Sequence, residues 1–196
     1  PGNIRVFNTG QVMLGWCLLY EQTGEQKYLD ATIRAGDYLK RGQEKDGSWK
    51  NGTYSGARTY EARVDWALLR LAQLSGDNTY KDTAIKNLRW VLSKQKENGW
   101  FDHCGFNDDL PIMHTIIYTL RGLLECELMG EDTLKKFRLL DVVEKSVKSL
   151  CDAANAQFVR GVEGMMPSGF DKNWNGITTD SCLTGNVQFV ALLYRL

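Results

Sequence analysis

The chain has 196 residues, of which 43% are hydrophobic and 24% charged, an ordinary composition for one globular domain with a real core. Lysine plus arginine equals aspartate plus glutamate at 24 each, which removes any electrostatic case for nucleic acid or an anionic membrane surface. No apolar run approaches the ~20 residues that a transmembrane helix needs, and the N-terminus is not signal-like.

A first helix is expected over about Thr9 to Thr23, with Asn8 or Thr9 suited to its N-cap and Gly24 as its stop. Its interior is apolar nearly all round, which predicts burial on both sides. From about Glu25 to Gln43 the apolar residues Tyr28, Leu29, Ile33 and Leu39 keep mostly to one face, as in an outer amphipathic helix. The pair then recurs: a dense segment over Thr59 to Leu74, a stop at Gly76, and an amphipathic segment over Thr79 to Lys94. A third dense helix is predicted over Pro111 to Met129, with Pro111 in its first turn and Asp108 and Asp109 near the positive end of its dipole. A more polar one follows over Glu131 to Ala154, and a fourth dense helix starts near Asp180 and runs to Leu196. The five cysteines, odd in number and scattered, read as reduced thiols of a cytoplasmic protein, with Cys17 and Cys126 as small buried hydrophobes.

The repeat is explicit. The frame Gln43-Glu-Lys-Asp-Gly47-Ser-Trp49 returns as Gln95-Lys-Glu-Asn-Gly99-Trp-Phe101, a period of 52 residues. A period of that length in helical sequence means stacked hairpins. Alternating inner and outer helices give an all-α fold, an α/α toroid or barrel of helical hairpins. Closing such a ring takes about six hairpins, roughly 300 residues at this repeat length, and about three and a half are present. With Pro1 at the start and an apolar helical pattern at the end, the expectation is one domain over 1–196, an incomplete ring of about seven helices and a piece of a longer toroid. Helices of the parent chain or a second subunit would complete it.

The Gln-x-x-x-Gly-x-Trp signature at 43–49 resembles the repeat of squalene and oxidosqualene cyclases and the prenyltransferase repeat. Phe7-Asn-Thr-Gly-Gln-Val, His114-Thr-Ile-Ile-Tyr-Thr-Leu-Arg-Gly-Leu-Leu-Glu and Cys182-Leu-Thr-Gly-Asn-Val-Gln together resemble bacterial toroid proteins encoded with polysaccharide biosynthesis genes, the VpsJ-like group. This likeness spans nearly the whole chain. It implies a longer parent and a link to polysaccharide metabolism, and it brings no settled reaction.

Aligned at the period, Gln11, Arg63, Thr115 and Asn186 fall at one depth near the N-terminal ends of the inner helices, with His114, Gly10, Ala62 and Gly185 one position earlier. The functional reading is a polar ring at the mouth of a cavity, with the small residues leaving room for a ligand; the plainer reading is that these groups bond the repeat loops. His114, Tyr118, Arg121 and Glu125 form one helical stripe, with Arg121 and Glu125 suited to an ion pair. As a base His114 needs a partner within ~3 Å. Asp102, His103 and Cys104 with His114 suggest zinc, but the spacing departs from that of the zinc-binding prenyltransferases, and no metal or cofactor is expected. The run Phe106-Asn-Asp-Asp109 lacks the first acid of the terpene cyclase motif and also fails as a diphosphate-binding aspartate motif.

Carbohydrate-active enzymes on α/α barrels are the better likeness, and a saccharide is the expected ligand. Trp49, Tyr60, Trp100 and Tyr118 offer aromatic faces, Gln11, Arg63, Thr115 and Asn186 offer polar contacts, and Asp102, His103, His114 and Asp180 are the candidate acids and bases. No carboxylate pair is fixed by spacing, so hydrolase, lyase and epimerase stay open. The alternatives are a non-catalytic scaffold that binds a protein partner and a terpenoid cyclase or prenyltransferase.

Overall fold

The computed structural model describes residues 4–107, 111–156, 159 and 164–196. Among them are α1 (Val6–Thr23), α2 (Gln26–Gly42), α3 (Ala62–Ser75), α4 (Asn78–Leu92), α5 (Met113–Leu128), α6 (Leu139–Ala156) and α7 (Leu183–Arg195), with 3-10 segments at Thr59–Glu61 and Asp132–Phe137. No strand occurs among the described residues, and their β-bridges are isolated. The odd-numbered helices form an inner row in which α1 packs on α3, α3 on α5 and α5 on α7; α2, α4 and α6 back α1, α3 and α5 from outside. This is an α/α toroid, incomplete, with seven α-helices among the described residues, as the repeat predicts.

The repeat signature turns out to be a clamp. Gln43 Nε2 donates to the Gly47 carbonyl at 3.0 Å and to the Thr83 carbonyl of α4 at 2.8 Å. Gln95 Nε2 donates in the same way to Val142 of α6 at 2.8 Å and to Ser146 Oγ at 3.1 Å. Each loop is thereby fastened to the outer helix of the next hairpin. Gly47 and Gly99 have positive φ, 90° and 81°, and each lies on that helix's backbone, against Lys86 and Lys145 respectively.

Burial separates the inner helices. α3 and α5 are largely buried, with Leu68, Leu71, Ile117, Leu120 and Leu123 at 0–1% exposure, and each keeps a partly exposed edge, at Arg63, Trp66 and Arg70 and at His114, Tyr118 and Arg121. α1 is not buried on both sides as its composition predicts: Val12 and Leu18 are each 48% exposed. α7 likewise presents Leu183, Val187, Val190 and Tyr194 to solvent, a stripe at i, i+4, i+7 and i+11. These two helices end the inner row, and among the described residues no further inner helix covers their exposed stripes.

Several helix starts differ from expectation, for reasons that lie far along the chain. α1 begins at Val6 without a side-chain cap, because the Val6 N–H bonds the Gly52 carbonyl at 2.8 Å; Asn8 and Thr9 are inside the helix. α5 begins at Met113 rather than Pro111, since Met113 N–H bonds Ser168 and the Pro111 carbonyl accepts from Phe170, at 2.8 and 3.3 Å. α7 begins at Leu183 rather than Asp180, whose carbonyl accepts from Ser168 N–H at 2.8 Å. The predicted outer helix over Glu131 to Ala154 is broken at Arg138, which has φ 49°.

At the far end of the inner row, Glu125 is 5% exposed and joins two helices. Its carboxylate takes Arg121 Nε at 2.6 Å and Arg195 of α7 at 2.8 Å. Charged hydrogen bonds of this kind contribute about 1.5–3 kcal/mol, less where one partner is partly in solvent, as Arg195 is. Glu125→Gln is expected to lower stability by about 1–2 kcal/mol and to speed amide exchange in α7 first. Unchanged protection of α7 would show the bridge to be idle.

Candidate functional site

The long connections 43–58 and 93–112 lead from outer helices into inner ones, as does the segment preceding α7, so they share one end of the row with the N-termini of α3, α5 and α7. At this mouth five rings form a closed circuit. Phe7 meets Tyr60 at 5.5 Å between centroids, Tyr60 meets Phe106 at 5.9 Å, and Phe106 meets His114 at 5.3 Å. His114 meets Tyr118 at 5.5 Å, and Tyr118 returns to Phe7 at 5.0 Å. Four of the five contacts are edge-to-face, the arrangement that aromatic quadrupoles favour.

Arg63 extends this circuit, with its guanidinium 5.1 Å from the Tyr118 centroid. Its Nε is buried without a hydrogen-bond partner, and so are Gln11 Nε2 and the Tyr60 hydroxyl. Burial makes Arg63 less basic and pushes the Tyr60 phenol above its ordinary range. Gln11, Leu14, Leu18, Arg63, Trp66 and Arg70 line a concavity of about 350 Å³ between α1 and α3. Arg70 there is paired with Glu21.

His114 is half-buried, and burial lowers its pKa, which favours the neutral imidazole, the form able to accept a proton. Its Nδ1 lies 3.6 Å from Cys182 Sγ. Cys182 is the N-cap of α7 and accepts the Gly185 N–H at 3.3 Å. The predicted stripe on α5 is therefore divided: His114 and Tyr118 belong to the mouth, Arg121 and Glu125 to the ion pair below.

Three predicted contacts are used up internally. Trp49 is 1% exposed and its Nε1 donates to the Leu39 carbonyl at 2.8 Å, a wedge within its own hairpin. Thr115 is fully buried and donates to the Ile112 carbonyl at 2.8 Å. Asn186 ties down the preceding loop: its Oδ1 accepts from Met166 N–H at 3.2 Å, and its Nδ2 donates to Ser181 Oγ and the Cys182 carbonyl, each at 3.0 Å. The small residues leave no space for a ligand. A Cβ on Gly10 would sit 2.9 Å from Val64, one on Gly185 2.9 Å from Met113, and Ala62 faces Gly122, so these positions let adjacent inner helices approach.

The candidate acids and bases do not converge. Asp102 pairs with Lys96 at 2.6 Å. His103 stacks on Trp90 with centroids 6.3 Å apart. Both line, with Trp100, a separate cleft of about 500 Å³ between the loops around residues 100–107 and 170–177. Trp100 is itself 4% exposed and packs edge-on to Trp174. Asp180 is exposed. Asp108 and Asp109 lie outside the described residues. Among the described residues no three His, Cys, Asp or Glu side chains gather to hold a metal ion; Asp102, His103 and Cys104 line the cleft, and His114 meets Phe106 at the mouth.

Sequence reasoning missed Phe7, Phe106 and Cys182 at the mouth, and two acids beneath it. Glu61 is 1% exposed with neither carboxylate oxygen hydrogen-bonded. Asp65 is fully buried, and its Oδ2 accepts from Asn87 Nδ2 at 2.7 Å. Burial raises both carboxyls well above their ordinary range. The available signal was two acids at i and i+4 in a segment dense in apolar residues, Glu61 in the 3-10 segment and Asp65 in the first turn of α3.

No protein-family model matches the chain, and no curated protein matches it. Solved structures do. A D-mannose isomerase superposes with TM-score 0.67 at 15% identity, over 88% of this chain and 46% of its own. The unsaturated glucuronyl hydrolase of Bacillus sp. GL1 gives 0.66 at 18%, over 93% and 56%. A polysaccharide lyase gives 0.66 at 16%, over 100% and 63%. The chain thus spans about half the length of the solved structures it matches. At these identities the likeness establishes the fold, an α/α toroid shared with enzymes that by name act on carbohydrates.

Proposed function

We propose that the chain is part of a toroid that binds, and acts on, a saccharide at the mouth of its inner helices, in the metabolism of a polysaccharide. The observation that carries this is the joining of the five-ring circuit to Arg63 through Tyr118, with Gln11 lining the same concavity as Arg63 and both buried donors lacking partners. Aromatic faces suit the apolar side of a sugar ring, and orphaned donors suit its oxygens. His114, neutral and half-buried beside them, is the candidate base. Tyr60 and Tyr118 shape the site from the circuit. Asp102, His103 and Trp100 would serve an outer part of a longer ligand in the neighbouring cleft. The named activities of the structural neighbours support the same class of ligand.

The apolar stripes on α1 and α7 support further helices, from a longer chain or a second subunit, that complete the ring. No described helix is long and apolar enough to cross a membrane. The terpenoid alternative draws on the aromatic circuit alone.

A thermal-shift screen with uronic acids, amino sugars, short oligosaccharides and prenyl diphosphates tests the reading. A ligand at a hundredfold excess over Kd stabilises by about 2.7 kcal/mol. Arg63→Ala and His114→Ala are expected to remove a saccharide-induced shift while changing the ligand-free stability by less than about 1 kcal/mol, as substitutions outside the packed core do. A shift with prenyl diphosphates only, or a fall in ligand-free stability with the saccharide shift intact, would overturn it.

A further inference from the structure

The geometry points to an acidic saccharide, one whose carboxylate is taken up by Arg63. The inference rests on the saccharide reading above and narrows it.

Two arginines line the concavity between α1 and α3, and they differ in one respect. Arg70 is matched by Glu21. Arg63, among the described residues, has no carboxylate at ion-pair distance, and its described contact is the face of Tyr118. A half-buried guanidinium without a counter-ion is costly, because it has lost water and gained no acceptor. A guanidinium beside an aromatic ring can still offer its N–H edge to an in-plane partner. Beside it, on the neighbouring inner helix, Gln11 Nε2 is a second buried donor without an acceptor. Orphaned donors carrying one positive charge are complemented by a group with two accepting oxygens and one negative charge. A carboxylate is that group, and its fork matches the guanidinium bidentately. Uncharged hydroxyls would satisfy the donors and leave the charge unmatched.

Calorimetric titration of the full chain at low salt with matched pairs tests this: trigalacturonate against its methyl ester, and glucuronate, mannuronate and galacturonate against glucose, mannose and galactose. The uronate of the recognised pair should bind about tenfold or more tightly than its neutral partner, the worth of one charged hydrogen bond, and the preference should shrink as salt rises. Arg63→Gln should bring uronate affinity down to that of the neutral partner, while Arg63→Lys, which keeps the charge without the fork, should retain part of the preference. Melting curves of both variants establish that they are folded. Equal binding of acid and neutral partner by the native chain overturns the inference and leaves the saccharide reading standing. Binding of neither series overturns both. A preference that survives in Arg63→Gln overturns the assignment to Arg63.

Discussion

Gly47→Ala is expected to destabilise the chain by about 3 kcal/mol or more, through strain at a special backbone position combined with overpacking. Gly47 sits at φ 90°, where a side chain is strained whatever the space around it. A Cβ there would also lie 2.3 Å from the Lys86 carbonyl oxygen and 2.6 Å from its carbon. The obstacle is helical backbone, which cannot rotate aside as a side-chain tip does. Relief requires the 43–58 loop to lift from α4, which breaks the bond from Gln43 to the Thr83 carbonyl. Gly15→Ala is the control. Gly15 is in the body of α1, with nothing within 4 Å of the added atom, so the better helix propensity of alanine should stabilise by about 0.5–1 kcal/mol. Equal denaturation midpoints for the two variants would mean that the Gln43 clamp does not hold the loop against α4. A smaller loss is expected for Gly99→Ala, whose Cβ would approach the Lys145 carbonyl at 2.9 Å.

That contrast shows why the fold was legible and the site only partly so. The clamp depends on residues that recur in one frame, Gln43 with Gly47 and Gln95 with Gly99, and recurrence is visible in a sequence. The toroid, the inner and outer rows and the buried thiols Cys17 and Cys126 follow from period and polarity alone. What determines a helix start or a free donor is a contact far along the chain. Val6 is held by Gly52, and Met113 by Ser168; neither bond leaves a local mark. The polar ring illustrates the same limit. Gln11, Arg63, Thr115 and Asn186 do share a register, but rotation about the helix axis and the identity of the nearest loop divide them. Thr115 and Asn186 meet backbone acceptors and donors and are satisfied, whereas Gln11 and Arg63 face the concavity and retain orphaned nitrogens. Phe106 escaped because an aromatic residue in a loop carries no periodicity, and Cys182 because cysteine is not among the residues expected at an N-cap.

Glu61→Gln is expected to remove a large part of the pH dependence of stability on the neutral side, and its sign distinguishes a strained core acid from an ion pair. Glu61 has no hydrogen-bonded partner for either oxygen, and burial alone raises its carboxyl well above the ordinary range. Below pH ~4, where the unfolded chain also carries this proton, the group costs nothing differential. As pH rises the unfolded chain releases the proton and the folded one keeps it, so stability falls by about 1.4 kcal/mol per pH unit until the folded group also titrates. Asp65 adds a slope of the same sign, since burial raises it too. Here the proton has a use: Asn87 Nδ2 already donates to Oδ2, while Asp65 Oδ1 and Asn87 Oδ1 both lack partners, and a protonated Oδ1 supplies the hydrogen that closes an acid–amide pair. Glu61 has no such partner. Urea denaturation at pH 4.5 and at pH 7 therefore should find Glu61→Gln near the native chain at the lower pH and more stable at the higher one. A variant less stable than the native chain at pH 7 would mean that Glu61 is ionised and matched in the folded protein, and would move it from the strained interior to the charged machinery of the mouth.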